Sequence, residues 1–277
     1  MPAAFTVSAA PAGSRQGARA SVLIPREYGA WAMLLMPLIV AGGVVGFGLP
    51  GLLYALSVAG VYLVRYPLEL VVRRRPAPAA WRWLSIYALV TGVPGLVLVV
   101  GYGRWGLVPL AAVAGLLTGL YLWLIRQRAE RTAPAELVMV AGLSLSAAGA
   151  AYVVEGEWVA LSLWLWVLAA LYSGSSVFFV RMMVRRPARG IAPLARRLRV
   201  GWPALVYQAV LWSSLAAMVA FRAVPVWAAL AFVPLLLKVL VGLLAVRVRP
   251  PIRVLGFMEV GHTILFAVLL VAAYRWF

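Results

Sequence analysis

Apolar stretches about 20 residues long recur along the chain from position 28 onward, separated by short segments that contain Arg, Pro or Gly. A helix needs about 20 apolar residues to cross the hydrocarbon core of a bilayer, so each stretch is long enough to span a membrane. We count nine spans, at 28–47, 51–72, 84–102, 105–126, 135–153, 158–182, 202–221, 225–246 and 253–275. The pattern predicts an all-α membrane protein built from nine transmembrane helices.

The start of the chain has a different character. Its first 24 residues are rich in Ala, Ser and Gly, and they hold neither a long apolar core nor a small-residue cleavage site beside one. We predict a disordered cytoplasmic tail here and not a signal peptide. The expected division is therefore a tail over 1–24 and a single polytopic helical membrane domain over 25–277.

The composition supports a membrane location. Of the 277 residues, 65% are apolar and 12% are charged, whereas a soluble domain is about half apolar and about a quarter charged. Cysteine is absent, which excludes disulfides and thiolate metal sites. The formal charge of +18 would favour nucleic acid in a soluble chain. Because these arginines lie between apolar runs, we predict membrane lipids as partners and no nucleic acid.

Basic residues alternate along the connections between the spans. The connections after the second, fourth, sixth and eighth spans hold the following arginines: Arg73, Arg74, Arg75, Arg82, Arg126, Arg128, Arg131, Arg185, Arg186, Arg189, Arg196, Arg197, Arg199, Arg247, Arg249 and Arg253. Each remaining connection holds at most one basic residue. By the positive-inside rule the arginine-rich connections face the cytoplasm, which predicts a cytoplasmic N-terminus and an external C-terminus.

Polar side chains at membrane depth are the best pointers to function, because an ionisable group in a span is costly and usually faces an interior or a pathway. The candidates are Arg26, Glu27, Tyr28 and Trp31 at the first span; Arg65, Tyr66, Glu69 and Arg73 at the second; Ser173, Ser176, Arg181 and Arg185 at the sixth; and Lys238, Glu259 and His262 in the last two. Lys238 and Glu259 lie on consecutive spans and are expected to pair. Interfacial anchoring, small-residue packing and pairing for stability remain alternative explanations for these groups.

Several kinds of chemistry lack the residues they need. All seven acids are Glu, Asp and Asn are absent, and His262 is the sole histidine. A zinc site needs three or four ligands at set spacing, and no HExxH motif occurs. No GxSxG motif and no phosphate-binding glycine loop is present either. We therefore predict no metal and no cofactor.

Two segments carry a family resemblance. The sequences REYGAWAMLLMP at the first span and SSVFFVRMMVRR at the sixth resemble the YwiC-like bacterial membrane proteins, in which a [KR]-E-H-G-A-W-A-M motif is typical. Tyr28 stands here where that family usually has His. The resemblance implies a multi-pass protein of the bacterial cytoplasmic membrane.

A more distant resemblance is to UbiA-type intramembrane prenyltransferases, which also have nine helices and large basic loops after the second and sixth. Their N-D-x-x-D-x-x-x-D motif aligns with residues 65–73, where only Glu69 keeps a carboxylate, and the second Asp-rich motif falls near 173–186, which has no acid. Magnesium-dependent prenyl transfer is therefore not expected. The resemblance instead implies a UbiA-like bundle in which arginines hold an anionic group. These arginines are Arg65, Arg73, Arg181, Arg185 and Arg186.

Three functions remain open at this point. The first is binding of an isoprenoid diphosphate, a quinone or another anionic lipid in a cytoplasm-facing cavity, with any reaction being a metal-independent, prenyltransferase-like transfer. The second is a small-solute or proton-coupled transporter, and the third is an assembly or scaffold protein for a membrane complex. A closed cavity lined by arginines favours the first, polar residues spread through the membrane depth favour the second, and the lack of a cavity favours the third.

Overall fold

A computed structural model describes residues 28–72, 78–129, 132–186, 193–244 and 250–276. In these ranges the regular elements are all helices, without strands. The main helices are α1 (Tyr28–Val45), α2 (Leu49–Val72), α3 (Pro78–Leu96), α4 (Leu107–Arg126), α5 (Ala133–Glu155), α6 (Ala160–Val184), α7 (Leu194–Ala220), α8 (Val233–Leu244) and α9 (Ile252–Arg275). A π-helical turn, Val97–Gly101, extends α3, and a 3-10 helix, Val226–Phe232, leads into α8.

Eight of these helical segments are long and apolar enough to cross a membrane. The exception is α1, whose apolar stretch Trp31–Val45 is shorter. The predicted all-helical, multi-pass architecture is therefore confirmed, while the ninth span and the orientation of the termini stay predictions. The third and fourth predicted spans correspond to separate helices, and Gly103 between them adopts a φ of +68°, which favours glycine.

Two helices begin well before their predicted spans, α3 at Pro78 in place of 84 and, with the larger difference, α7. We expected the seventh span to begin at 202, whereas α7 begins at Leu194 and includes three arginines in its first two turns. Hydropathy marks only the part of a helix that lies in hydrocarbon, and α7 extends beyond that part. The extension brings Arg196 and Arg197 next to the end of α6.

The centre of the bundle is formed by α5 and α6, which are the most buried helices, with α1 and α9 packed against them. Small residues allow this close approach, because Ala147, Ala151 and Ala169 are completely buried. The helix α2 also approaches α5 closely, since a Cβ added at Gly149 would overlap the ring of Tyr54 on α2. By contrast, α4 is peripheral, and most of its side chains are exposed.

Interhelical hydrogen bonds join helix ends at both sides of the bundle. At one side, Arg104 donates from Nε to the Val153 carbonyl over 3.1 Å, and Arg275 donates from Nε to the Gly43 carbonyl over 2.6 Å. At the other side, Arg197 donates to the Leu244 carbonyl over 2.5 Å. We call this second side the arginine-rich end. It contains the end of α6, the start of α7 and the end of α8.

Candidate functional site

A buried ion pair joins α8 to α9. Lys238 Nζ lies 3.0 Å from Glu259 Oε1 and 2.9 Å from Oε2, and it donates a further hydrogen bond to Ser176 Oγ on α6 at 3.2 Å. The side chains of Lys238 and Glu259 are only 3% and 9% exposed. All three N–H groups of the ammonium therefore have an acceptor. We call Lys238 and Glu259 the intramembrane pair.

Aromatic and hydroxyl side chains surround the intramembrane pair. The ammonium lies 4.9 Å from the ring centroid of Phe179 and 5.9 Å from that of Tyr172, distances at which a cation is attracted to a ring face. The Tyr172 hydroxyl donates to Thr263 Oγ1 over 3.0 Å, and Thr263 donates to the backbone carbonyl of Glu259 over 2.8 Å. These contacts fix both the depth and the rotation of α9 against α6.

The polar layer continues from α6 to α7. Gln208 Nε2 donates to Ser175 Oγ over 2.8 Å, and both side chains are buried. Two buried oxygen atoms here, Ser173 Oγ and Gln208 Oε1, have no hydrogen-bond partner among the residues that the structure describes. Buried polar atoms without a protein partner are places where water or a ligand group is expected.

His262 lies beside the intramembrane pair in sequence but is not part of it. Its Nδ1 contacts the Met258 carbonyl at 2.7 Å, within the same helix. His262 therefore does not share the pair's hydrogen bonds. Within the described ranges no three His, Cys, Asp or Glu side chains come together as metal ligands.

A second ion pair lies between α2, α4 and α5. Arg65 donates from Nε to Glu69 Oε1 over 2.7 Å, from one terminal nitrogen to Tyr121 Oη over 2.7 Å, and from the other to Met139 Sδ over 2.9 Å. The guanidinium also lies 4.8 Å from the Tyr121 ring centroid. The two residues lie four apart, a spacing that brings them to one face of α2, and α2 continues as a helix through Pro67.

A third ion pair links α5 to α6: Arg181 Nε lies 2.9 Å from Glu136 Oε2. Sequence reasoning did not single out Glu136. The available signal was that Glu136 is one of only seven acids and lies in the first turn of α5, at the same end of the bundle as Arg181. Such a position also suits a carboxylate near a helix N-terminus, so the partner could not be inferred from the sequence.

The arginine-rich end contains a small pocket, which we call the arginine pocket. Its walls are formed by Arg185 and Arg186 at the end of α6 and by Arg196 and Arg197 at the start of α7, and Met182 and Leu243 form its floor. Its volume is about 20 Å³, close to the space for one water molecule. An anion larger than water would therefore be held at the mouth, by the outer guanidinium groups.

The electrostatics of the arginine pocket favour an anion. Partial burial, together with the positive charge of Arg197, lowers the pKa of the Arg186 guanidinium from its ordinary value. Arg197 Nε is buried and has no acceptor within the described part of the chain. Arg185 and Arg196 are exposed, and neither lies within salt-bridge distance of a described carboxylate, although Arg185 acts on Glu136 at longer range. The charged side chains that line the pocket are thus all of one sign.

An apolar groove lies next to the arginine pocket on the outer surface of the bundle. Its volume is about 270 Å³, and its lining consists of Phe178 on α6 and Trp202, Pro203, Val206, Tyr207 and Val210 on α7. Trp202 and Val210 are 63% and 54% exposed. From Arg196 to Val206 the helix advances about 15 Å. The groove therefore runs from the arginines toward the bilayer interior.

The expected group of arginines divides into two sets. We expected the second and sixth helices to bring their arginines to one mouth, and this shared mouth stays a prediction. Arg65 and Arg181 each form an ion pair, and both reach the first part of α5, where Arg65 contacts Met139 and Arg181 contacts Glu136. Of the expected group, Arg185 and Arg186 line a pocket, and their neighbours there come from α7. Carboxylates hold the other two because each lies within reach of one of the few acids.

The remaining predicted residues lie partly outside the described part of the chain. Arg26, Glu27 and Arg73 lie outside the described residues, and the side chains of Tyr28 and Tyr66 are likewise outside the description. Trp31 packs edge-on against Tyr62, with ring centroids 5.2 Å apart. Ser173 and Ser176 are both buried on α6, and Ser176 joins the intramembrane pair.

Comparison with known proteins gives a family match for the first part of the chain. Residues 24–152, which reach from before α1 into α5, match the family model of YwiC-like proteins. The chain carries a YwiC-like region. The predicted resemblance is thereby confirmed over these residues, while the SSVFFVRMMVRR segment at 175–186 lies beyond the match.

One relative belongs to a bacterium. The chain is 36% identical over 72 residues to a Bacillus subtilis (strain 168) protein named Uncharacterized protein YwiC. The aligned part is 25% of this chain and 29% of the Bacillus protein, so the match spans under a third of that relative's length. No solved structure matches the chain. The intramembrane pair, the arginine pocket and the apolar groove all lie outside the YwiC-like region.

Proposed function

We propose that the protein binds an anionic lipid on the surface formed by α6 and α7. The observation that carries this proposal is the direct succession of the arginine pocket and the apolar groove along the same two helices. A lipid has the same succession, with a charged headgroup at the membrane surface and an apolar chain beneath it. The lipid would be seated from the bilayer side.

The headgroup would be held by Arg185 and Arg196. Guanidinium groups bind phosphate through paired hydrogen bonds, and such charge-assisted bonds are about twice as strong as neutral ones. Both side chains are exposed at the mouth of the arginine pocket, and neither forms a salt bridge with a described carboxylate. Arg186 and Arg197 add positive potential from behind. A phosphate or diphosphate fits this arrangement better than a neutral quinone does.

The chain of the lipid would lie in the apolar groove. At about 270 Å³ the groove is slightly smaller than pockets that enclose a whole drug-sized ligand, which begin near 300 Å³. It would therefore hold part of one chain, while the rest stays among bulk lipid. The proposal moves the ligand from an enclosed cavity between α2 and α6 to a lateral site between α6 and α7.

We propose the following setting for this site. With α1 also crossing the bilayer, the protein has nine spans, and the positive-inside rule gives a cytoplasmic N-terminus and an external C-terminus. The location is the bacterial cytoplasmic membrane. The arginine pocket then meets the inner leaflet, where anionic lipids attract basic residues.

We assign no reaction to the proposed site. A UbiA-like arrangement of the bundle and a metal-independent transfer reaction stay predictions. In support of binding without metal-dependent chemistry, the one carboxylate kept at the aligned first motif, Glu69, is already paired with Arg65. The observation that favours the transporter alternative is a different one, the intramembrane pair. No specific contact favours the scaffold alternative.

The test is a titration with defined lipids, followed by native mass spectrometry. Phosphatidylglycerol and farnesyl diphosphate are compared with phosphatidylcholine and a quinone. We expect the two anionic lipids to bind in preference. The double variant Arg185→Ala with Arg196→Ala should weaken the binding of the anionic lipids by at least about tenfold. The loss of one charge-assisted hydrogen bond costs about 1.5–3 kcal/mol, and about 1.4 kcal/mol corresponds to a tenfold change in affinity.

Two matched controls separate the proposed site from general attraction to anionic lipid. Arg82→Ala with Arg126→Ala removes the same charge from exposed arginines at the ends of α3 and α4, and it should leave affinity nearly unchanged. Val206→Trp should fill the apolar groove and reduce occupancy, whereas Val113→Trp on the exposed face of α4 should not. Equal effects of the test and control variants would refute the α6–α7 site.

A further inference from the structure

Only a thin apolar layer separates the intramembrane pair from the arginine pocket. Met182 and Leu243 form the floor of the pocket, and Phe179 lies three residues deeper on α6. The Phe179 ring is also the face that Lys238 Nζ contacts at 4.9 Å. On α8, Lys238 is five residues from Leu243, which corresponds to about 7.5 Å along the helix axis. Lys238 therefore lies about one and a half turns along α8 from the floor of the arginine pocket.

This apolar layer is made of side chains that change shape easily. Methionine is unbranched and flexible, and Met182 and Met183 both belong to the layer. Gly242 makes room for them: a Cβ there would lie 2.7 Å from Met183 Cε and 2.9 Å from Phe179 Cε2. Rotation of the methionine side chains is thus the smallest movement that would connect the arginine pocket with the intramembrane pair.

We infer that the intramembrane pair is a binding site for a small monovalent anion that enters together with one proton. In the resting site the Lys238 ammonium carries one positive charge and the Glu259 carboxylate one negative charge. An anion that takes the carboxylate's place beside the ammonium leaves Glu259 to accept one proton from water. The bond that forms is the O–H bond of Glu259, and no bond of the anion breaks.

Charge balance is the reason for the coupling. An anion that entered alone would leave two negative groups against one ammonium. Net charge in a buried site carries a high desolvation penalty, so the anion is expected to enter with a proton. With one proton on Glu259, the site holds one ammonium, one neutral carboxyl group and one anion, and its net charge stays at zero. Ser176 Oγ, which accepts from Lys238 in the resting site, can turn its hydroxyl hydrogen toward the anion.

Glu259 is the proton acceptor because the other titratable groups are engaged or distant from the pair. On α6, α7 and α9 these groups are Tyr172, Arg181, Arg196, Arg197, Arg199, Tyr207, Arg253, His262, Tyr274 and Arg275. The hydroxyls of Tyr172 and Tyr207 already donate, to Thr263 and to the Leu171 carbonyl. Tyr274 and Arg275 lie at the end of α9, about four turns from Glu259. Apart from Tyr28, whose side chain lies outside the description, α1 and the 3-10 helix contain no ionisable side chain. Glu259 is thus the only carboxylate at this site among described residues.

The surroundings select an anion over a cation. A free cation would have to pass four arginines and then displace an ammonium that is tethered beside its only carboxylate. An anion is attracted by the same arginines, whose field raises its local concentration. The inference does not depend on lipid binding, because the pair lies inside the bundle and not on its outer surface.

The test uses the full chain in nanodiscs of phosphatidylcholine, a lipid without net charge. Potassium iodide is added in weak buffer, with potassium gluconate as the comparison salt, and iodide binding and proton uptake are measured together. We expect one proton taken up per iodide bound. By linkage, the iodide affinity then falls about tenfold for each unit that the pH rises while Glu259 is ionised in the resting site.

Variants separate the two partners. Glu259→Gln should bind iodide with an affinity independent of pH and without proton uptake, and Lys238→Met should bind none. Glu69→Gln, the same change in the Arg65 ion pair, should leave the coupling intact. Should Lys238→Met fail to fold, Ser176→Ala serves in its place and should weaken iodide binding several-fold. Proton release, or an iodide affinity of the unmodified protein that does not change with pH, would overturn the inference.

Discussion

The intramembrane pair allows a direct test of the packing of α6, α8 and α9. Replacing Lys238 with Met leaves the Glu259 carboxylate in a site where its side chain is 9% exposed, without the donor that bonds both of its oxygens. Replacing Glu259 with Leu leaves the Lys238 ammonium with Ser176 Oγ as its remaining hydrogen-bond acceptor among the described residues. Removing one partner of a buried ion pair costs about 3–5 kcal/mol, because the remaining charge is uncompensated.

The expected magnitude can be compared with the attraction between the two charges. At a separation of 2.9–3.0 Å and an effective dielectric constant of about 20, Coulomb's law gives about 5.5 kcal/mol. Desolvation of both groups offsets much of that attraction. The double variant Lys238→Met with Glu259→Leu should therefore be far less destabilised than the sum of the single variants, with a coupling energy of about 3 kcal/mol or more.

The assay is unfolding of the purified protein in mixed micelles by increasing fractions of sodium dodecyl sulfate. The free energy of unfolding is measured for the four proteins of the cycle. The Arg65 and Glu69 pair is the control, because its side chains are 30% and 18% exposed and its coupling should be nearer 1 kcal/mol. Single variants that each cost less than about 1 kcal/mol, with no coupling, would show that water reaches the pair and would refute the packing described above.

Two further predictions concern packing and hydrogen bonding elsewhere in the bundle. Gly149→Ala on α5 should destabilise the protein by about 1–3 kcal/mol, because the added Cβ would overlap Tyr54. The control is Gly115→Ala on α4, where a Cβ meets no atom within 4 Å, and this change should be neutral or slightly stabilising. Thermal unfolding measures both. Tyr121→Phe removes an acceptor from the Arg65 guanidinium and should lower the free energy of unfolding by about 1.5–3 kcal/mol; an unchanged value would mean that water replaces the hydroxyl.

Hydropathy predicted the helices well because each span must satisfy its backbone hydrogen bonds within itself. The Lys238 and Glu259 pair was also predictable, since α8 and α9 are consecutive and each places a single opposite charge at a similar depth. The arginine pocket was not predictable in the same way. Arg196 and Arg197 look like ordinary topology signals, and only the extension of α7 to Leu194 brings them beside α6.

The partners of Arg65 and Arg181 were predictable to different degrees. The two arginines were grouped because of a family resemblance, but a guanidinium in a bundle is held by whichever carboxylate is near. Glu69 is one turn away on the same helix, and Glu136 faces Arg181 from α5. Sequence spacing identifies the first partner and not the second, which depends on how α5 packs against α6.

The central claim is that an anionic lipid occupies the α6–α7 surface. The most direct measurement is to release the protein gently from native membranes, observe it by native mass spectrometry, and identify whatever lipid remains bound. We predict one anionic lipid at about one copy per chain, lost in the Arg185→Ala and Arg196→Ala double variant and retained in the Arg82→Ala and Arg126→Ala control. Bulk phospholipid of variable amount, unaffected by either double variant, would contradict the claim.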